Sequence, residues 1–303
     1  MGSMLLPIFA CDAFHFPLPD GHRFPLDKFR RLREQVLARG LVQPEAVHTP
    51  AADTLDQMML AHDPDYLERV LDGKLADAEI RRIGFPWSPA LVERARRSAG
   101  GTLAAARVAL QHGVGVNLAG GTHHASYAHG EGYCLFNDSI ISARVLQAEG
   151  RIRRAVILDG DVHQGNGTAQ IAANDPTIFT FSLHGERNFP LRKYPSDLDV
   201  GLPDGTEDEV FLSAWQRGVS TSLQRAQADL AIYLAGADPY RGDRLGRLAV
   251  TPAALQERDR MAVTMCRDAG LPVAVTMAGG YAKNIDETVA IQATTVAEVL
   301  RRA

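Results

Sequence analysis

Hydrophobic and polar positions follow two alternating periods along the chain, one typical of buried strands and one typical of amphipathic helices. Short apolar runs bounded by Gly, Pro or Asp predict strands, and longer segments with apolar residues every three or four positions predict helices. The predicted strands are 114–119, 155–158, 178–183, 230–235 and 272–277. The predicted helices are 25–39, 89–112, 137–149, 168–173, 208–228, 252–269 and 285–301. A long loop rich in Pro, Gly and Asp is predicted over 184–206.

Strands that alternate with helices predict an α/β fold of three layers, α/β/α, with a mostly parallel central sheet. No internal repeat, low-complexity tract or linker interrupts the pattern, so we expect a single domain over 4–303. Residues 1–3 precede a second methionine, Met4, and we interpret them as a cloning remnant.

The composition narrows the class of protein. Hydrophobic residues make up 46% and charged residues 22% of the 303 positions, which is ordinary for a globular protein. The formal net charge of -4 argues against a general nucleic-acid binder, and no apolar run approaches the roughly 18 residues of a membrane span. The three cysteines are far apart, no CxxC pair occurs, and the N-terminus lacks a signal-peptide pattern. We therefore expect a cytoplasmic protein without disulfides or a zinc ribbon.

The richest segment chemically is the end of the predicted strand 155–158. Asp159, Asp161 and His163 follow it at every second position, and in an extended chain alternate side chains share one face. A carboxylate and an imidazole two residues apart make half of a compact metal site. The glycines at 165 and 167 allow the backbone to turn tightly around it.

Three more polar segments follow predicted strands. They contain the adjacent His123 and His124, the carboxylate Asp238, and Tyr281 after two glycines. Taken singly, each segment has an ordinary explanation: the histidines would lie in a surface loop, the aspartate would form a turn, and the tyrosine would pack in the core. Because ligands bind at the carboxyl ends of parallel strands, we expect the four segments to meet at one edge of the sheet.

Together these residues form a chemically complete set. Asp161, His163 and Asp238 supply three metal ligands and leave a position open for water, as in catalytic metal sites. His123 and His124 could transfer protons, and Tyr281 could donate a hydrogen bond to a developing oxyanion. The set predicts metal-assisted amide hydrolysis.

The same residues resemble the motifs of the zinc-dependent histone deacetylase family, which includes acetoin-utilisation and acetylpolyamine-hydrolase relatives. Four segments occur in the order of that family: Gly-Gly-Thr-His-His-Ala at 120–125, Asp-Gly-Asp-Val-His-Gln-Gly-Asn-Gly-Thr at 159–168, Gly-Ala-Asp-Pro at 236–239 and Gly-Gly-Tyr at 279–281. The segments at 21–25, 181–185 and 243–246 look most like the class IV branch and its bacterial relatives. The resemblance implies the arginase/deacetylase-like version of the α/β fold.

The resemblance also implies roles. It makes Asp161, His163 and Asp238 zinc ligands, His124 the general base and acid, and Tyr281 the carbonyl-polarising tyrosine. His123 becomes the electrostatic neighbour of His124, and Asp159 the carboxylate that orients His123. Gly132 and Tyr133 match the wall of an acyl-lysine tunnel, next to a buried thiol, Cys134. A structural potassium ion is implied, held by Asp159, Ser182 and the backbone oxygens of Asp161, His163 and Leu183.

The chain departs from the family pattern at three places. Asn166 stands where class I enzymes carry an aspartate beside the base, so we expect His124 to be less basic. Gly160 replaces a bulky residue between the two aspartates, which could loosen the strand end. The acidic loop that holds peptide backbones in class I enzymes has no clear counterpart before Trp87.

Several alternatives stay open on sequence grounds. The substrate is an acyl-lysine protein or peptide, or a small acylated amine such as an acetylpolyamine, for which Glu131, Glu186 and Asp197 could form an acidic rim. The acyl group ranges from acetyl to long-chain fatty acyl, and we expect the longer chains to be preferred. Fe²⁺, Co²⁺ or Mn²⁺ could replace zinc, and the oligomeric state is open.

Other classes of protein fit less well. A two-manganese ureohydrolase of the arginase type needs further carboxylates where Gly165 and Tyr240 stand. A nucleotide-binding protein needs a GxGxxG or P-loop pattern, which the chain lacks. A catalytically weak acyl-binding module is disfavoured because every ligand and Tyr281 are present.

Overall fold

The computed structural model describes residues 6–303, so the remnant proposed at residues 1–3 lies outside it. The strands are β1 (Ile8–Phe9), β2 (Val47–His48), β3 (Val114–Asn117), β4 (Ala155–Asp159), β5 (Ile178–Gly185), β6 (Leu198–Leu202), β7 (Leu230–Leu234) and β8 (Val273–Thr276). The helices are α1 (Lys28–Ala38), α2 (Leu55–Met59), α3 (Pro64–Leu71), α4 (Asp77–Ile83), α5 (Pro89–His112), α6 (Asp138–Ala148), α7 (Asn166–Ala172), α8 (Asp208–Ala226), α9 (Pro252–Asp268) and α10 (Ile285–Leu300).

The strands form one sheet in the order β2-β1-β3-β8-β7-β4-β5-β6. Every neighbouring pair is parallel, which confirms the predicted α/β fold with a parallel central sheet. All carboxyl ends therefore lie at one edge of the sheet, which is where ligands bind in this architecture.

Successive residues of each central strand enter opposite faces of the sheet. In β4, Val156 and Leu158 belong to a core that includes residues of α1, α8, α9 and α10. Their neighbours Ala155 and Ile157 belong to a second core with residues of α5 and α6. Because both faces are covered by helices, the strand is apolar at successive positions, as parallel strands usually are.

The long helix α5 begins and ends as its sequence indicates. The Ser88 hydroxyl accepts a hydrogen bond from the Leu91 N–H, Pro89 occupies the first helical position, and Gly113 ends the helix with φ of 87°. Within α5, a Cβ at Gly101 would collide with the Asn117 side chain, so this glycine lets α5 approach β3 closely.

The predicted loop over 184–206 is wrong. β5 continues through His184 and Gly185, and 198–202 forms the edge strand β6. Asp197, Asp199 and Gly201 gave this segment the composition of a turn, but β6 is half exposed, and Asp197 accepts hydrogen bonds from the Thr180 N–H and hydroxyl. The sequence also left β1, β2 and the helices α2–α4 unpredicted, since each is too short for a clear period.

The three cysteines are free, as expected from their spacing, and all three are buried. Among residues 6–303, no helix has both the length and the apolar character that crossing a bilayer requires.

Candidate metal centre and catalytic site

Four adjacent strands, β3, β8, β7 and β4, supply the chemically active residues from their carboxyl ends. The segments after β4 and β7 bring Asp161, His163 and Asp238 together, with their ligand atoms within 4.8 Å of one another and all three side chains buried. His163 Nδ1 lies 2.9 Å from Asp161 Oδ1 and 3.2 Å from Asp238 Oδ2. The sequence predicted this group from strand ends that are 75 or more positions apart.

This group has the properties of a cation site. Asp238 Oδ2 is buried and makes no hydrogen bond of good geometry, although His163 Nδ1 lies 3.2 Å away. Burial next to Asp161 raises the pKa of Asp238 to about 7. A Cβ at Gly279 would collide with carboxylate oxygens of both aspartates, so glycine keeps this space free. Two carboxylates and one imidazole therefore fit a divalent metal such as Zn²⁺, Fe²⁺, Co²⁺ or Mn²⁺.

Backbone donors fix the two carboxylates. The Gly279 N–H donates to Asp161 Oδ2 at 2.7 Å, and the Val162 N–H donates to Asp238 Oδ1 at 2.9 Å. Each aspartate thus keeps an orientation set by the neighbouring loop. These N–H groups could not be inferred from the sequence, because any residue can supply them.

Arg258 fixes the loops that carry the ligands. This fully buried side chain of α9 donates through Nη1 to the carbonyls of Gly160, at 2.9 Å, and Gly236, at 2.6 Å. Asp259 balances its charge at 2.8 Å. The space that Gly160 leaves is bordered by the Trp215 ring, so the strand end is packed despite the small residue. Sequence reasoning missed Arg258, since arginine on a helix is usually exposed.

His123 lies against Asp159. Its Nδ1 is 2.6 Å from Asp159 Oδ2, and both side chains are buried. Burial lowers the pKa of His123, but the charges of Asp159 and Asp161 outweigh burial and raise it to about 9. The Asp159–His123 pair thus holds a protonated imidazole beside the metal-site group.

His124 has different neighbours. Its Nδ1 lies 2.6 Å from Asn166 Oδ1, and the Asn166 amide donates to Glu131 Oε2 at 2.9 Å. Burial, together with the charges of His123 and His163, holds the pKa of His124 well below its usual range. Because Glu131 can only accept, the Asn166 amide N–H faces Glu131 and its oxygen faces His124, which must then carry its proton on Nδ1. Glu131 was considered only as part of an acidic rim.

Tyr281 follows a strained turn after β8. Ala278 and Gly280 have φ of 47° and 150°, and the Tyr281 N–H donates to Asp243 Oδ2 at 2.6 Å. The buried Tyr281 ring lies 6.5 Å from the His163 ring, centroid to centroid, and burial holds the pKa of its hydroxyl well above the usual value. Tyr281 thus keeps its proton and can donate it in a hydrogen bond. Asp243 was not predicted in this role.

A surface groove of about 610 Å³, here called the outer groove, leads to this group. It is lined by Arg81, Arg82, Ile83, Gly84, His124, Glu131, Gly132, Tyr133, His163, Arg187, Asn188, Phe189, Leu191, Leu245, Arg247 and Tyr281. Gly132 and Tyr133, which the resemblance assigns to a tunnel wall, are among these lining residues, and the Phe189 ring lies edge-on to His124, 4.9 Å away between centroids. Phe189 was missed because it falls in the supposed loop.

A second space, the inner cavity, continues behind the same residues. His124, His163 and Tyr281 line it as they line the outer groove, so the two spaces meet at the metal-site group. Its far walls are mostly apolar and include Phe16, Phe24, Leu26, Phe29, Phe85 and Leu91. The buried Lys28 also lines it, donating to the Ala278 carbonyl at 3.2 Å, and burial lowers the pKa of Lys28 to about 8.

The residues predicted to hold potassium lie on two neighbouring strands. Asp159 of β4 and Ser182 of β5 are partners in the sheet register, Leu183 follows Ser182, and all three are buried. The Ser182 hydroxyl lies 3.0 Å from His184 Nδ1. Carboxylate, hydroxyl and carbonyl oxygens suit a hard cation.

Comparison with known proteins assigns the family. Residues 22–297 match the histone deacetylase domain. Histone deacetylase 2 of Arabidopsis thaliana is 26% identical over 89% of this chain and 72% of its own length. The chain belongs to the histone deacetylase family. An uncharacterised protein of Picosynechococcus is 46% identical, with 90% of this chain and 91% of that protein covered.

Other members of the histone deacetylase family agree with this assignment. The acetoin utilization protein AcuC of Staphylococcus aureus is 29% identical over 78% of this chain and 67% of its own length. A histone deacetylase homologue solved in complex with SAHA has the same fold, with a TM-score of 0.85, 20% identity, and coverage of 99% of this chain and 85% of that one. Histone deacetylases are metal-dependent hydrolases, which agrees with the buried Asp-His-Asp group.

Proposed function

We propose that this chain is a zinc-dependent hydrolase that removes an acyl group from the ε-amine of lysine. The observation that carries the proposal is the position of the buried Asp161, His163 and Asp238 group where the outer groove meets the inner cavity. An amide that enters through the outer groove can place its carbonyl at this junction, with its amine side in the groove and its acyl side in the cavity.

Different side chains would carry out different steps as water adds to the amide carbonyl. When bound by Asp161, His163 and Asp238, zinc would acidify a water molecule and polarise the substrate carbonyl. His124 carries its proton on Nδ1, so its Nε2 is free to take a proton from water and later give it to the departing amine. Tyr281 donates a hydrogen bond to the carbonyl oxygen as negative charge develops there. His123, charged beside Asp159, favours that negative charge electrostatically.

We also propose that Gly132 and Tyr133 line the path of the lysine stem, and that Asp159, Ser182 and Leu183 hold a potassium ion. A Cβ at Gly132 would lie 2.6 Å from His124 Cδ2, so only glycine lets the wall come this close to the base. Potassium beneath the metal site would offset the charge of Asp159 and steady the end of β4.

The acyl group is proposed to be longer than acetyl. The motivating observation is the apolar lining of the inner cavity by Phe16, Phe24, Phe85 and Leu91, which stabilises methylene groups more than a lone methyl requires. We expect higher kcat/KM for long-chain acyl-lysine peptides than for acetyl-lysine peptides. Comparable values across the series would contradict this preference.

The test is release of free lysine amine from peptides that carry acetyl to myristoyl groups, with and without a hydroxamate chelator. Metal content is measured on the same preparation by elemental analysis. Turnover that the chelator abolishes supports the hydrolase. Metal-loaded protein that binds the peptides without turnover would instead indicate an acyl-binding module. Turnover of acetylpolyamines but not of peptides would move the substrate to small amines.

A further inference from the structure

The outer groove is basic, although the whole chain is acidic. Arg81, Arg82, Arg187 and Arg247 line it, and all four are exposed, whereas Glu131 is its only lining carboxylate among the described residues. The formal net charge of the chain is -4, so this local excess of positive charge runs against the average. A cleft lined by one sign of charge concentrates ligands of the opposite sign.

The arginines belong to segments that are fixed to the site. The end of α4 is tied to the groove wall, because the Gly132 N–H donates to the Arg82 carbonyl at 3.1 Å and the Tyr133 N–H to the Ile83 carbonyl at 2.7 Å. A second part of the lining is fixed as well, because Asn188 donates to the Leu245 carbonyl at 2.8 Å and accepts from the Arg247 N–H at 3.2 Å. Both parts of the lining therefore keep their places beside the buried metal-site group.

Acidic side chains of the protein neutralise this charge only in part. Arg247 pairs with Asp204 at 3.2 Å, and Arg187 lies 3.9 Å from Glu186. Within residues 6–303, Arg81 and Arg82 make no ion pair closer than 4 Å.

Glu131 keeps its negative charge while it accepts the hydrogen bond of the Asn166 amide, so the lining holds one carboxylate against the guanidinium groups of four arginines. The other two candidates for an acidic rim, Glu186 and Asp197, are not among the residues that line the outer groove. Glu186 lies 3.9 Å from Arg187, and Asp197 accepts hydrogen bonds from Thr180 of β5. The outer groove therefore carries a net positive charge, which repels a polycationic amine and does not attract it.

We propose that the outer groove selects substrates that carry carboxylates next to the acylated amine. This inference rests on the proposed acyl-lysine hydrolase and names its substrate class: acyl-lysine flanked by acidic residues. Arginine suits this task, since its planar guanidinium stays charged and matches a carboxylate with two parallel hydrogen bonds. Arg81 and Arg82 select from one part of the groove lining and Arg187 and Arg247 from another.

The test compares peptides with one acyl group and one central acyl-lysine, flanked on both sides by Asp, Gly or Lys. We expect kcat/KM to be about tenfold higher for the Asp-flanked than for the Lys-flanked peptide at low salt, as for a few exposed ion pairs. At 0.5 M NaCl the ratio should fall towards unity, because salt screens exposed charges. Free Nε-acyl-lysine and its carboxamide form a second arm, which distinguishes a single α-carboxylate from an acidic peptide segment.

Two double variants test whether the groove arginines cause the preference for acidic flanking residues. Arg81→Gln with Arg82→Gln should reduce the Asp-over-Lys ratio of kcat/KM about threefold or more. The control is Arg217→Gln with Arg260→Gln, which removes the same charge from exposed positions on α8 and α9. Equal rates for the three peptides, or equal effects of both double variants, would overturn the proposal. Failure to hydrolyse even the Gly-flanked peptide would instead count against the hydrolase itself.

Discussion

Replacing Asn166 by aspartate tests how the protein sets the basicity of His124. Asn166 accepts from His124 Nδ1 at 2.6 Å and donates to Glu131 Oε2 at 2.9 Å. Asn166→Asp keeps the shape but places a second carboxylate oxygen against Glu131. Two unit charges about 4 Å apart repel by about 4 kcal/mol at an effective dielectric constant of 20, so the two carboxyl groups would share a proton.

The double variant Asn166→Asp with Glu131→Gln removes this conflict and isolates the effect on the base. Burial holds the pKa of His124 low, and a carboxylate bonded to Nδ1 would raise it by about 1–3 units. A general base works only when it is unprotonated, so activity disappears as the pH falls through its pKa. The acid limb of kcat/KM should therefore move up in pH by about 1–3 units, and by less in Asn166→Asp alone.

The assay is the pH profile of kcat/KM between pH 5 and 9 for the wild type, both single variants and the double variant. Gln170→Glu is the matched control, because it adds a negative charge about one turn further along α7 and Gln170 has no hydrogen bond to His124. An unchanged acid limb in the double variant would refute the assigned role of His124. An equal shift in Gln170→Glu would show that general charge, and not the bond to Nδ1, is responsible.

Three further predictions concern the metal, the oxyanion and the stability of the fold. His163→Ala should lose its metal, because two carboxylates remain without the imidazole, and full occupancy by elemental analysis would contradict the site. Tyr281→Phe should keep the fold and the metal but lose on the order of 100-fold in kcat, and retained activity would exclude the oxyanion role. Burial raises the pKa of Asp53 to about 7 from 3.8, so the folded chain holds a proton that the unfolded chain releases, and stability falls as the pH rises through this window. Asp53→Asn should therefore add about 4 kcal/mol at pH 8 and about 2 kcal/mol at pH 5, measured by urea unfolding, whereas an equal gain at both pH values would argue against a titrating Asp53.

The sheet could be predicted because its central strands carry a strong signal. Strands such as β4 and β7 are buried on both faces, so their sequences are continuous apolar runs, and polar residues follow within a few positions of each apolar run. The metal-site group followed from those ends. β6 could not be found in the same way, because an edge strand buries only some of its residues and the rest resemble a turn.

Parts of the site that depend on contacts between residues distant in the sequence could not be predicted either. Glu131 and Asn166 are 35 positions apart, and nothing in either segment indicates that the amide of one meets the carboxylate of the other. Arg258 lies 98 positions from Gly160, within a helix whose other charged residues, apart from Asp259, are partly or fully exposed. Such contacts depend on how helices pack onto the sheet, and local patterns do not encode that packing.

The position of Arg258 separates two properties of the site, namely the spacing of the metal ligands and the lining of the groove that leads to them. Its guanidinium sets the spacing of the metal-ligand loops from beneath the carboxyl edge of the sheet, through the Gly160 and Gly236 carbonyls. The side chains that line the outer groove lie on other segments, such as the end of α4 and the turn that carries Asn188. Mutations in those segments can alter substrate preference without disturbing ligand spacing. The architecture thus allows related chains to diverge in specificity while they keep one catalytic centre.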